Sequence, residues 1–220
     1  MKQETTKRLV LTAMMLAIAT VIAFICSIIP FLNFPFGGGI TIASMLPIIL
    51  VSYIYGTRWG LFTGFTYSVI QMMLGYSTIG ALFTPANDAY QGIINALLIC
   101  VIDYILAYTA LGLGGVFRNK FENKGLALCF GSILALVVCY AFHVISGFIF
   151  YGAWAEWFFT DTVIADTAFS KWIMSTFKGN GLSLLYSIVY NGCYMIPEII
   201  ITAACAFPVA KIRGVNKINI

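Results

Sequence analysis

The chain has 220 residues, of which 61% are hydrophobic and only 9% are charged, and its formal net charge is +4. A soluble domain usually carries about 25% charged residues, so this composition excludes an ordinary soluble protein and indicates one that lies in a lipid bilayer. So small a net charge, confined to short connections, also argues against binding to nucleic acid. The six cysteines show no C-x-x-C spacing and indicate neither a disulfide framework nor a metal site.

Six apolar segments follow one another along the chain, and most reach the length of about 20 residues that a helix needs to cross a bilayer. The first follows Lys7 and Arg8; it is too long for a signal peptide and lacks a cleavage region, so we expect it to be retained. The sequence therefore predicts an all-α membrane protein, a bundle of six transmembrane helices that forms one integral membrane domain over residues 1–220. The predicted spans lie at about 8–30, 41–56, 59–75, 92–116, 126–151 and 184–210.

The distribution of lysine and arginine predicts the orientation. With the N-terminus inside, all but two of the 12 lysines and arginines fall on one side, and only Lys171 and Lys178 fall on the other. The positive-inside rule makes the first side the cytoplasm. Both termini are therefore expected in the cytoplasm, with the protein in the bacterial plasma membrane.

Two of the outer connections have unusual compositions. Residues 30–39 contain two prolines and three glycines, which exclude a regular helix, so this connection is a candidate gate or an interfacial turn. The connection 152–183 mixes Trp154, Trp157 and Trp172 with acidic residues, as is typical of a segment in the lipid headgroup region. Interfacial anchoring and a lid are both open interpretations of it.

Three ionisable side chains fall inside predicted spans, where their cost marks them as candidate functional groups: Asp103, His143 and Glu198. At a rise of 1.5 Å per residue, Asp103 lies roughly 16 Å and His143 roughly 12 Å below the outer surface. No lysine or arginine is placed near Asp103, so a cationic ligand would supply the missing partner. Glu198 is expected either to line the floor of the same pocket or to bond to backbone groups that Pro197 frees.

Aromatic and polar residues of three spans share this level in the outer half of the bundle. They are Tyr67 in the third span, the stripe Tyr140, His143, Gly147 and Tyr151 in the fifth, and Tyr186 and Asn191 in the sixth. The hydroxyls and imidazole of that stripe, with a gap at its glycine, could enclose a flat ring. The alternative is a helix–helix contact, in which glycine allows close approach and His143 bonds to a neighbouring helix.

A small-residue face and the absence of catalytic motifs bear on partners and chemistry. Ala13 and Ala17 give the first span a small-x-x-x-small face, which serves either packing within the bundle or docking of a partner membrane protein. The sequence has no phosphate-binding loop, zinc-protease motif or serine-nucleophile motif. The chain is therefore predicted not to be an enzyme, to need no cofactor and not to bind ATP itself.

Four motifs in four predicted spans combine into a pattern that is similar to a known family. They are Ala13-x-x-x-Ala17, Asp103-Tyr104, Tyr140-x-x-His143-x-x-x-Gly147 and Tyr186-Ser187-x-x-x-Asn191-Gly192. The pattern resembles the thiamine-specific substrate-binding (S) component of energy-coupling factor (ECF) transporters. The resemblance implies a six-helix bundle that captures thiamine from outside and docks through its alanine face onto a transmembrane coupling protein carrying two ATPases. The alternatives are an S component for a thiamine precursor or for another vitamin such as riboflavin, an intramembrane enzyme, and a structural bundle.

The resemblance also implies roles for individual residues. It places the pocket acid on Asp103, beside Tyr104, and the pocket histidine on His143. The closing pair falls on Tyr186 and Asn191. The aromatic walls of the pocket correspond to Tyr67 and Tyr151, two positions at which the family pattern has tryptophan. That pattern also has glutamate where this chain has Asp103, and lysine near the position of Cys139. The family's gating loop corresponds to residues 31–40.

Overall fold

The computed structural model describes residues 2–34 and 37–212, and within these ranges it contains helices and no β-strand. Nine helices are numbered here in chain order. They are α1 (Lys2–Ser27), α2 (Leu46–Tyr55), α3 (Thr57–Leu74), α4 (Tyr76–Phe83), α5 (Ile93–Gly115), α6 (Lys124–Phe150), α7 (Ala155–Asp161), α8 (Ala168–Thr176) and α9 (Asn180–Val209).

Four of these helices, α1, α5, α6 and α9, are long and apolar enough to cross a membrane. α2 is also apolar but has only 10 residues. It begins at Leu46 rather than near residue 41, because Ile42 and Ala43 have φ angles of 45° and 62°, in the left-handed region that a right-handed helix cannot include. α3 is a continuous helix of 18 residues, but polar residues such as Gln71 interrupt its apolar sequence.

The connections that follow α3 and α6 contain more helix than their composition indicates. α4 follows α3 almost without a break, and α7 and α8 lie within the connection 152–183. In the connection between α1 and α2, residues Pro30–Leu32 form a single 3₁₀ turn. The side-chain amide of Asn33 donates to the carbonyl oxygen of Ile29 at 2.8 Å, which holds this connection against the end of α1.

The helices that carry the candidate site approach one another at glycines. A Cβ atom on Gly131 of α6 would collide with the backbone carbonyl of Gly114 in α5, and a Cβ on Gly112 would collide with the backbone of α3 at Leu61. Ser52 of α2 adds a buried hydrogen bond, in which its hydroxyl donates to the carbonyl of Gly112. These contacts fix α5 between α3 and α6, so that Asp103 on α5 lies opposite His143 on α6.

Candidate functional site

A cavity of about 460 Å³ lies among the ends of α3, α5, α6 and α9 and the segment 37–41. Of the described residues that line it, Asp103 is the one carboxylate, and none is a lysine or an arginine. Six tyrosines contribute to the wall: Tyr104, Tyr108, Tyr151, Tyr186, Tyr190 and Tyr194. The cavity is therefore aromatic with a single acidic side chain in its described lining, and its volume is within the range of 300–1,000 Å³ that is usual for small-molecule sites.

Asp103 is held by two hydrogen bonds from α6. The Nδ1 atom of His143 lies 2.9 Å from Oδ1, and the hydroxyl of Ser146 donates to Oδ2 at 2.6 Å. The side chain of Asp103 is 19% exposed and that of His143 is 10% exposed. Asp103 sits in a π-helical stretch of α5, Cys100–Leu106, and such local widening of a helix is frequent at functional sites.

Two tyrosine rings contact the imidazole of His143. Tyr108 and Tyr194 meet it edge-to-face, with ring centroids 6.3 Å and 6.1 Å away, in the arrangement that aromatic pairs favour. The sequence reasoning missed both, together with Tyr190. A signal was present for the residues of α9: tyrosines recur every four residues at 186, 190 and 194, which places them on one helix face.

Asn191 joins α9 to α6 beside Gly147. Its side-chain amide donates to the carbonyl oxygen of His143 in α6 at 3.3 Å and to that of Ser187 in α9 at 2.8 Å, and its Oδ1 accepts from the hydroxyl of Tyr194. A Cβ atom on Gly147 would collide with the hydroxyl of Ser187 and come within 3.0 Å of the Asn191 amide nitrogen. The glycine thus permits close approach of α9 as well as lining the cavity, so part of the expected gap is filled by the neighbouring helix.

The predicted binding residues divide into two groups. Those found in the lining are Asp103, Tyr104, His143, Tyr151, Tyr186 and Asn191. Tyr67 and Tyr140 are not among the described lining residues. Tyr67 is fully buried, accepts from the amide of Gln71 at 2.6 Å and contacts Tyr108 edge-on, so it supports two residues of the wall. The hydroxyl of Tyr140 instead donates to the carbonyl oxygen of Ile188 at 2.7 Å, joining α6 to α9.

The two alanines predicted to dock a partner lie on the exposed side of α1. Ala13 and Ala17 are both exposed. The small residues of α1 that pack inside the bundle are Ala19 and Ala23, at 0% and 5% exposure. Packing within the described part of the chain therefore does not account for the Ala13–Ala17 face.

The long connection 152–183 packs against the wall of the cavity. Phe158 of α7 is buried, and its ring lies 5.3 Å from that of Tyr186 and 5.7 Å from that of Tyr190. Trp172 of α8 remains 54% exposed. The connection thus combines a buried surface on the tyrosines with an aromatic side chain that is free to meet the membrane interface.

Comparison with known proteins identifies the family. A family model described as "Thiamine transporter protein (Thia_YuaJ)" matches residues 9–157. The chain belongs to this family. It is 31% identical over 205 residues to the thiamine transporter ThiT of Bacillus subtilis (strain 168), a match that covers 89% of this chain and 86% of that relative.

A solved structure supports the fold of this thiamine transporter family member. The chain superposes on ThiT from Listeria monocytogenes with a TM-score of 0.58 and 22% identity, covering 94% of this chain and 97% of the other. At that identity the likeness concerns the fold alone. With four helices suited to crossing a bilayer, the family member is a multi-pass protein of the plasma membrane, as the sequence predicts.

Glu198 of this family member binds the end of the connection between α1 and α2. Its Oε2 accepts from the backbone N–H of Thr41 at 2.9 Å and from the Thr41 hydroxyl at 3.1 Å, while Oε1 accepts from the hydroxyl of Thr202 at 3.1 Å. Of the two expected roles, the described contacts match neither, because the side chain does not line the cavity and bonds to Thr41 rather than to groups near Pro197. It fixes the start of the left-handed segment at Ile42 instead.

We expect Glu198→Ala to lower the free energy of unfolding by about 2 kcal/mol, because it leaves the Thr41 N–H and two hydroxyls without their acceptor. The temperature of thermal unfolding of the detergent-purified protein measures the effect. Glu156→Ala, at an exposed carboxylate on α7, is the matched control and should change little. Equal stability of the two variants would show that the Glu198–Thr41 contact does not hold this segment.

Proposed function

We propose that this protein is the substrate-binding component of an ECF-type importer, which captures thiamine from outside and passes it to an ATP-driven coupling module. The observation that carries this proposal is the carboxylate of Asp103 in a tyrosine-lined cavity whose described lining has no lysine or arginine. Thiamine joins a cationic thiazolium to a flat aminopyrimidine. The cation supplies the charge that the carboxylate lacks, and the tyrosine rings supply stacking and cation–π contacts.

The hydrogen bonds at Asp103 leave its charge available to such a ligand. Both observed partners, an imidazole nitrogen and a hydroxyl, can donate as neutral groups. Hydrogen bonds of this kind stabilise a carboxylate without cancelling its charge. A cation that enters the cavity interacts with it in a medium of lower dielectric constant than water, where the attraction is stronger.

The proposed membrane arrangement is one domain with six spanning segments and both termini in the cytoplasm. α2 and α3 form the two shorter segments, joined by a tight turn at Gly56, whose φ is 93°. The exposed Arg58 follows that turn on the side that the positive-inside rule assigns to the cytoplasm. The cavity then opens toward the outside, where a scarce vitamin has to be captured.

The proposed partners follow from what the chain does not carry. It has no phosphate-binding motif, so energy has to come from separate subunits: a transmembrane coupling protein and two ATPases. The exposed Ala13–Ala17 face supports docking of the coupling protein, since small residues let another helix approach closely within the bilayer. The chain itself acts as a binding subunit and not as an enzyme.

Calorimetric titration of thiamine into the detergent-purified protein tests the proposal. We expect saturable binding with a Kd between about 1 nM and a few μM, or roughly −12 to −8 kcal/mol. Calorimetry suits this protein better than tryptophan fluorescence, because none of the four tryptophans is among the described lining residues.

Riboflavin and a free aminopyrimidine precursor serve as competitors in the same experiment. Neither should displace thiamine at equal concentration, because neither offers a cation to Asp103. Tight binding of one of them by folded protein, with no heat from thiamine, would assign the cavity to another vitamin. Turnover of any of these compounds by the isolated chain would contradict a pure binding role.

A further inference from the structure

Gln71 of α3 lines the cavity with an amide of which one side is already bound. Its Nε2 atom donates to the hydroxyl of Tyr67 at 2.6 Å, while no hydrogen bond to its Oε1 atom is observed within the described part of the chain. Gln71 is 9% exposed, whereas Tyr67 is fully buried and is not among the described lining residues. Of the α3 side chains in that lining, the Gln71 amide is therefore the polar group that a ligand can reach.

A chain of buried hydroxyls behind Tyr67 determines which way each O–H points. The carboxylate of Glu198 accepts from the hydroxyl of Thr41 at 3.1 Å, and Thr41 in turn accepts from the hydroxyl of Ser44 at 2.7 Å. A serine hydroxyl has one hydrogen, so Ser44 has none left for the hydroxyl of Tyr67, which lies 3.5 Å away. Toward Tyr67, Ser44 can therefore only accept.

The direction of this chain sets the orientation of the Gln71 amide. With its one hydrogen aimed at Ser44, the hydroxyl of Tyr67 has only lone pairs to offer to Gln71. It accordingly receives the Nε2 atom of the amide and not the Oε1 atom. Oε1 is then the free atom of a side chain that lines the cavity, and it can accept hydrogen bonds but cannot donate them.

We propose that Gln71 is a specificity-determining residue, whose Oε1 accepts a hydrogen bond from the exocyclic amino group of the aminopyrimidine ring. The inference deepens the proposed function and rests on it for the identity of the ligand. An amino group on such a ring serves as a donor, so its recognition requires an acceptor of fixed orientation. The hydroxyethyl group of thiamine can donate or accept and has no such requirement. Tyr67 is a positioning residue, which acts on the ligand only by holding the amide of Gln71.

Calorimetric titration of thiamine and of oxythiamine into the detergent-purified protein tests this role. Oxythiamine has a carbonyl oxygen in place of the amino group and keeps the thiazolium, so both compounds offer the same charge to Asp103. We expect the unsubstituted protein to bind thiamine about 100-fold more tightly, because Oε1 would face a second acceptor in oxythiamine. Gln71→Met keeps the length of the side chain and removes the amide. It should lower the affinity ratio to about fivefold or less, mainly by weakening thiamine.

Three comparisons separate recognition of the amino group from other effects. Gln91→Met, the same change at a glutamine outside the described lining, should leave the ratio unchanged. Tyr67→Phe removes the hydroxyl that holds the amide and should lower the ratio to about tenfold, whereas a residue that only packs the wall would weaken both compounds equally. Deazathiamine, a neutral analogue with thiophene in place of thiazolium, keeps the aminopyrimidine and should lose as much affinity as thiamine in Gln71→Met.

The orientation of the amide can also be measured without ligand. The chain has three glutamines, Gln3, Gln71 and Gln91, so protein made by cell-free synthesis with ¹⁵N-glutamine should show three side-chain NH₂ groups. Gln71→Met identifies the signals of Gln71 by their loss. We expect one of its two amide hydrogens to exchange slowly with water, since it is bound to Tyr67, and we expect Tyr67→Phe to shift these signals and to speed that exchange.

The inference is wrong if Gln71→Met leaves the ratio of thiamine to oxythiamine affinity unchanged. A preference of the unsubstituted protein for oxythiamine would also overturn it, since the NH₂ group and not Oε1 would then face the ligand. Unchanged Gln71 signals in Tyr67→Phe would contradict the assigned orientation. Because the spectra are recorded without ligand, they decide that orientation even if thiamine does not bind, and absence of thiamine binding by folded protein contradicts the proposed function separately.

Discussion

Asp103→Asn should weaken thiamine binding by about 100-fold or more while the protein still folds. The substitution keeps the size and planar shape of the side chain and removes only its charge. The Oδ1 atom of an asparagine can still accept from Nδ1 of His143, and its side-chain NH₂ group can donate to the hydroxyl of Ser146. Both observed contacts therefore have a neutral equivalent. What is lost is the attraction for the thiazolium in a cavity whose described lining offers no second carboxylate.

Calorimetry gives the change in Kd, and the temperature of thermal unfolding without ligand shows whether the fold survives. Asp166→Asn is the matched control, because that carboxylate is fully exposed and its nearest cation, Lys171, is 3.8 Å away. It should leave thiamine affinity unchanged. The neutral deazathiamine should lose little affinity in Asp103→Asn, since its binding does not use the charge. Equal thiamine affinity in the two variants would place the cation elsewhere in the cavity.

The level of the site along the bundle axis could be predicted from the sequence, but the rotation of each helix about its own axis could not. Counting residues from the span ends brings Asp103 and His143 to a similar depth, and the structure joins them at 2.9 Å. Tyr67 and Tyr140 were expected at the same level, yet neither is found in the described lining. Depth follows from the rise per residue, whereas the side that a residue presents depends on packing partners far away in the sequence.

The π-helical stretch in α5 shows why periodicity was insufficient. Widening of the helix over Cys100–Leu106 alters the angular phase of the residues that follow, so a regular 3.6-residue repeat does not extend unchanged through Asp103 to Tyr108. Tyr108 contacts both Tyr67 and His143, and it was not predicted. No local sequence signal in this apolar stretch predicts the change from α-helix to π-helix.

The connections were harder to predict than the long spans for a related reason. A bilayer imposes a length and an apolar composition on the segments that cross it, and these are visible in the sequence. Nothing comparable constrains α4, α7 or α8, whose helices depend on contacts such as that of Phe158 with Tyr186. The Glu198–Thr41 contact likewise joins residues that are distant in the chain, and only the folded arrangement brings them together.

Gly131→Val should lower the free energy of unfolding by about 4 kcal/mol, at the upper end of single substitutions, because the added side chain meets backbone and not a movable side chain. A Cβ atom at this position would already collide with the carbonyl of Gly114. The collision can be relieved only if α5 and α6 separate. Since these helices carry Asp103 and His143, separation near Gly131 should also disturb the 2.9 Å contact between the two side chains and weaken thiamine binding.

Thermal unfolding and calorimetry of the same preparation distinguish this effect from a general cost of replacing glycine in a helix. Gly80→Val is the matched control: Gly80 lies within α4, and a Cβ there would meet nothing within 4 Å. It should be neutral or slightly stabilising, since valine has a higher helix propensity than glycine. If Gly131→Val unfolds at the same temperature as Gly80→Val, α5 and α6 are not in backbone contact at Gly114. A fall in stability with no loss of thiamine affinity would instead show that the Asp103–His143 pair is aligned independently of this contact.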